Sequence, residues 1–134
     1  VALTYSTAIA NARLDAVEST IGTSAILRIR TGAAPATVAT ASSGTVLATC
    51  TLPSDWMAAA SSRSKAKSGT WEDTSADNAG TAGHFEIVAS DGTTVGLRGD
   101  VTVTSGGGNL TVDNVVFAAG QAFSITSFTL TAAN

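Results

Sequence analysis

The side chains that could carry chemistry are one histidine, one cysteine and ten carboxylates. A histidine works as a general base only when a nucleophile and an orienting acid converge on it. His84 stands beside Phe85 at the start of an apolar run, where a packing or hydrogen-bonding role is the commoner one. No serine lies in a nucleophile-elbow sequence, and nothing in the sequence ties Cys50 to His84. Cys50 has no partner in the chain, so an intrachain disulfide is excluded. Within Val46–Leu52 it reads as a small buried residue. Glu72, Asp73 and Asp77 form an acidic loop that could attract calcium, but the regular ligand spacing of an EF-hand is missing. Gly106, Gly107 and Gly108 lack the lysine and the strand–helix setting of a phosphate loop. Ten scattered acids single out no glycosidase pair. The sequence therefore assigns no catalytic residue, no cofactor and no metal, and the chain is expected not to be an enzyme.

Binding is the alternative. Trp56, Met57 and Trp71 are large side chains in otherwise small-residue surroundings, and tryptophan is enriched in interface hot spots. They either meet a partner or cap the core beneath a long loop. Leu14, Val17 and Ile21 are the other interface candidates, as the apolar stripe of an N-terminal helix. Arg63, Lys65 and Lys67 alternate in a Ser/Gly-rich stretch and read as a solvated loop.

These residues must be positioned by a small number of elements. Ala10, Leu14, Val17 and Ile21 fall at spacings of four, three and four, which predicts one helix over residues 7–21. Ser6 is placed to cap its start and Gly22 its end. Residues 1–22 are read as a helical arm and 23–134 as a single β-domain. In 25–31, Leu27 and Ile29 alternate with Arg28 and Arg30, as in a strand buried on one face. Further strands are expected at 45–52, 68–72, 84–89, 95–104, 110–117 and 123–131, with one helical turn at 55–60. Residues 58–82 read as a long contact loop. In the last strand a bulge near Thr126 would put Phe123, Ile125, Phe128 and Leu130 on one side. The resulting fold class is mainly β: an antiparallel β-sandwich or jelly roll with one short N-terminal helix.

Composition narrows the function. Only 13% of the residues are charged, against roughly 25% in ordinary soluble domains. Ser, Thr, Ala and Gly stand where charge normally keeps a free monomer soluble and its sheet edges blunt. Such a surface suits a protein covered by neighbours, and it also suits one that is secreted. The net charge of −3 argues against a nucleic-acid partner, which calls for a basic footprint. No run approaches membrane-spanning length, so no membrane partner is expected. The first 22 residues, with Arg13, Asp15 and Glu18, lack the apolar core of an export signal, so assembly in the cytoplasm is expected.

Several segments resemble a known group. These are Ala2-Leu3-Thr4-Tyr5-Ser6, Asn11-Ala12-Arg13-Leu14-Asp15-Ala16, the run from Leu27 to Pro35, Leu52-Pro53-Ser54-Asp55-Trp56, the run from Lys65 to Trp71, the run from Gly80 to Phe85 and the ending from Ser127 to Ala132. Together they span nearly the whole chain, which resembles the small jelly-roll cement, or decoration, proteins of tailed-bacteriophage capsids. The resemblance implies a virion structural protein. It implies a homodimer on the exterior of the capsid, whose partner is the major capsid protein shell that it stabilises. A phage tail or tail-tip protein and a carbohydrate-binding β-sandwich remain open as alternatives.

Overall fold

A computed structural model describes residues 1–132. The chain is mainly β with one helix. In chain order the elements are α1 (Thr7–Ile21), β1 (Ile26–Thr31), β2 (Val46–Thr51), β3 (Ser64–Ala66), β4 (Trp71–Asp73), β5 (Gly80–Val88), β6 (Val95–Val103), β7 (Leu110–Val112), β8 (Val116–Phe117), β9 (Phe123–Ile125) and β10 (Thr129–Thr131). No helix among the described residues is long and apolar enough to cross a membrane.

The helix forms where its capping residues place it. The Ser6 side chain accepts a hydrogen bond from the Ile9 amide at 3.2 Å, and the Gly22 amide donates to the Glu18 carbonyl at 2.8 Å. Gly22 has φ +95°, a conformation that costs glycine little. Only Ala10 and Leu14 are buried on α1, too little apolar contact to hold a short helix. Polar anchors, described below, complete its attachment.

The main sheet runs β2-β1-β5-β6-β7, with β8 beside β5, and curls into a half-barrel. An entirely antiparallel sheet was expected, but β7 pairs with β6 in parallel. The 104–109 loop carries the chain back to start β7 alongside Val101, so the strand runs in the same direction as β6. Two short ladders, β3 with β10 and β4 with β9, are separate from this sheet. The long loop expected at 58–82 thus contains β3, β4 and the start of β5. The helical turn expected at 55–60 is replaced by extended chain bridged at Met57–Lys67. Buried Trp56 and Met57 point adjacent side chains inward there.

Alternation explains the core face. Leu27 lies opposite Ile87, and Ile29 opposite Phe85, giving one apolar face to β1 and β5. Above it a chain of rings links the ladders to the sheet. Trp56 meets Trp71 at 6.0 Å, Trp71 meets Phe128 at 5.5 Å, and Phe128 meets Phe85 edge-on at 5.6 Å between centroids. Phe123, Ile125 and Phe128 are all buried. The chain leaves β9 at Thr126 and resumes as β10 at Thr129, and this break reconciles their parities.

Candidate functional site

The polar side chains gather in two places. The first is the junction of α1 with the body. Glu18 accepts from the Met57 amide at 3.0 Å, Asp15 from the Ala60 amide at 2.9 Å, and Asn11 from the Arg63 amide at 2.9 Å. The spacings of four and three place all three acceptors on one helical face. Trp56 Nε1 donates to the Gly22 carbonyl at 2.9 Å, fastening the helix end. Arg63 also reaches the Tyr5 carbonyl, and Arg13 lies over the Tyr5 ring. Lys65, read from the sequence as solvated, is 3% exposed. Its Nζ meets Asp15 at 2.8 Å, Glu18 at 2.9 Å and the Ala58 carbonyl at 2.9 Å.

The Lys65 hydrogen bond, then the Ala60 amide, holds the Asp15 carboxyl below its ordinary pKa. Burial works against ionisation of Glu18 and of Lys65. Their mutual contacts outweigh it, so Glu18 is lowered and Lys65 raised. An open cavity of about 530 Å³ lies against this junction, lined by Asp15, Glu18, Asp55, Met57 and Lys65 among others. Its one ammonium already has three acceptors.

The second cluster lies on the outer face of the main sheet. Glu86 is fully buried. It accepts from Arg30 Nε at 2.8 Å, Ser42 Oγ at 2.7 Å and Arg98 Nε at 3.2 Å. Arg98 also donates to the carbonyls of Thr37 and Thr40, and Arg30 to that of Gly44. The 32–44 loop is thereby clasped over the sheet, and β5 becomes buried on both faces. Burial pushes the Glu86 pKa up, but Ser42 and the two guanidinium groups outweigh it and leave it lowered. A Cβ at Gly83 would lie 2.1 Å from the Gly32 carbonyl oxygen, so the loop seats there only on a glycine.

His84 is in this layer, fully buried, with Nδ1 2.8 Å from the Gly32 carbonyl and no hydrogen-bond partner at Nε2. Its cross-strand neighbours are Arg30 and Asp100, and no serine is bonded to it. Cys50 is buried on β2, and burial, then the nearby Asp73, Asp77 and Glu72, pushes its thiol up to about 12. The acidic loop clips β2: Asp73 accepts from the Thr49 amide at 2.8 Å and Asp77 from the Thr49 hydroxyl at 2.7 Å. Among the described residues no group of three or more His, Cys, Asp and Glu side chains is placed to hold a metal ion.

The six interface candidates separate. Trp56 and Trp71 are fully buried, and Met57 and Leu14 nearly so, in their own chain. They present no face to a partner, and the two indole rings offer no stacking platform to a sugar. Val17 and Ile21 are half-buried and line a shallow groove with Arg13, Ala16, Thr20 and Gly96. Ile21 rests directly on the β6 backbone, since a Cβ at Gly96 would lie 2.3 Å from its Cγ1. Large exposed apolar side chains occur instead at Val1, Leu3, Ile9, Val38, Val103 and Val116. The alternation of Val1 and Leu3 with Ala2 and Thr4 was the signal in the sequence for the first two.

Each of the seven basic side chains has an intramolecular partner. Besides Arg13, Arg30, Arg63, Lys65 and Arg98, Arg28 donates to the Gly92 carbonyl and Lys67 to the Gly69 carbonyl. The chain matches no protein-family model, no curated protein and no solved structure.

Proposed function

We propose that this chain is a non-enzymatic virion structural protein, a cement or decoration subunit that binds the outer face of a major-capsid-protein shell and stabilises it. In this reading it self-associates as a homodimer, and its curled β-domain is a variant of the jelly-roll plan. The observation that carries the proposal is the internal use of charge. Every basic side chain has a partner within the chain, so the exposed charge is sparse and mostly acidic, with Asp55, Glu72, Asp77, Asp91, Asp100 and Asp113 set among Thr, Ser, Ala and Gly. A free monomer depends on exposed charge of both signs for solubility. A subunit repeated across a symmetric shell gains instead from many weak neutral contacts added by avidity. The resemblance along nearly the whole chain supports the same reading.

The test is co-sedimentation of the purified protein with empty phage shells that lack it, followed by heating. Saturable binding and a higher shell-disruption temperature are expected. Protein that stays in the supernatant and partitions with tails would replace the capsid role with a tail role.

A further inference from the structure

α1 sits outside the apolar core. Its buried side chains, Ala10 and Leu14, do not belong to the cluster that joins the sheet to the ladders, and of its residues only Ile21, in the last turn, packs against that cluster. Side-chain acceptors hold the rest. Asn11, Asp15 and Glu18 take the amides of Arg63, Ala60 and Met57 in that order, so the helix lies antiparallel to the 57–63 segment. Lys65 closes the row between Asp15 and Glu18. The open cavity of about 530 Å³ runs beside these bonds, so helix and body are not packed solid along them.

We propose that α1 is a charge-locked latch: the helix leaves the β-domain as one unit, pivoting at Ile21 and Gly22, and the charges of Asp15 and Glu18 against Lys65 keep it closed. This goes beyond the capsid reading and does not rest on it.

The pivot is where the core still grips the chain. Ile21 rests on Gly96 of β6, and the Gly22 carbonyl accepts from Trp56 Nε1. Ala25, just beyond, is fully buried, and its carbonyl accepts from the Leu52 amide. Gly22, at φ +95°, is the joint. Before it only Ala10 and Leu14 are buried, and segments with few buried apolar contacts open ahead of the whole fold. A helix this short is marginal alone, so undocking also unwinds it.

The charges around the lock come from each neighbouring element. Asp55 lies beside Glu18, Arg63 reaches the Tyr5 carbonyl from the 61–64 turn, Arg13 of α1 lies over the Tyr5 ring, and β6 brings the uncharged Gly96. Lys65, from β3, is the cation that meets both carboxylates. Both carboxyls titrate below their ordinary values in the docked chain. Docking is therefore favoured at neutral pH and weakens as pH falls through the carboxylate range.

Amide hydrogen exchange of the full chain, read residue by residue by NMR, is the test. The amides of residues 10–18 and those of Met57, Ala60 and Arg63 are expected to share one protection factor, at least about tenfold below that of β5. Ile29→Val, a small change in the buried core, should lower β5 protection about two- to tenfold and leave the latch set unchanged. Asp15→Asn combined with Glu18→Gln keeps the acceptor oxygens and removes the charges; it should lower protection of the latch set at least about tenfold. A latch set as protected as β5, and falling with it in Ile29→Val, would mean that α1 opens only with the whole fold. Exchange graded along the helix, with Arg63 fast and Met57 slow, would mean fraying and not release as a unit. Unchanged protection in the charge-free variant would remove the lock. Each of these three results overturns the inference.

Discussion

The two charged clusters are inversions of one another. At the helix junction a single ammonium, Lys65, sits between two carboxylates, Asp15 and Glu18. Under the 32–44 loop a single carboxylate, Glu86, sits between two guanidinium groups, Arg30 and Arg98. One minus two gives −1 in the first; two minus one gives +1 in the second. Their solvation also differs. The Asp15 side chain is 47% exposed, whereas Glu86 and its two arginines are 0%, 14% and 4% exposed. The junction can therefore exchange a lost partner for water, and the clasp cannot. The difference teaches which connection is permanent. The clasp is part of the fold, while the junction is a surface-accessible bolt between helix and body.

The comparison is broken most directly at Glu86. Glu86→Ala would leave two nearly buried guanidinium groups without their carboxylate, and removing one member of a buried ionic cluster costs about 3–5 kcal/mol. Urea unfolding should show that loss, with 32–44 becoming the first site of proteolysis. A loss below about 1 kcal/mol would mean that water already reaches the clasp.

Lys65→Met should cost less, about 2 kcal/mol, because the carboxylates left behind are partly solvated and can hydrate. If the two variants proved equally destabilised, exposure would not be what separates the clusters.

The smallest effect is a difference in acid response. The carboxyls of Glu86, Asp15 and Glu18 are all lowered in the folded chain. Each therefore contributes stability at neutral pH that is lost as pH falls through the ordinary carboxylate range to the folded value. Asp91, held down to about 2 first by the Thr94 hydroxyl and then by the Thr94 and Thr93 amides, adds the same slope across that interval. Lys65 has the opposite sense: its raised pKa gives a contribution present at neutral pH and lost only in strong alkali. Glu86→Gln should flatten the acid limb of a stability–pH curve and leave the alkaline limb unchanged. A change confined to the alkaline limb would contradict this assignment.

Much of the fold was legible because it rests on local pattern. The helix was readable from the Ala10–Ile21 stripe and its two caps, and β1 from Leu27 and Ile29 alternating with two arginines. β5 and β6 were readable from apolar runs around the Asp91-Gly92 turn. The break between β9 and β10 left its trace in the parity of Phe123 and Ile125 against Phe128 and Leu130. The candidate sites were much less legible. Lys65 looked like a surface cation because its neighbours are Ser and Ala, and its partners lie some fifty residues earlier. Trp56 and Trp71 could be read either as core or as interface, with the core reading ahead, since the size of a ring does not say which side of the chain it faces.

The sequence by itself determined what depends on residues a few positions apart: where the helix starts and stops, which strand faces are apolar, that no disulfide forms within the chain, and that charge is scarce. Only the tertiary structure decided what depends on residues far apart. It paired Glu86 with Arg30, Ser42 and Arg98, ran β7 parallel to β6 and buried both tryptophans. The physical reason is range. Backbone geometry and capping act over one or two turns of chain, whereas ion pairing, ring packing and strand order are fixed only when the whole chain closes around one core.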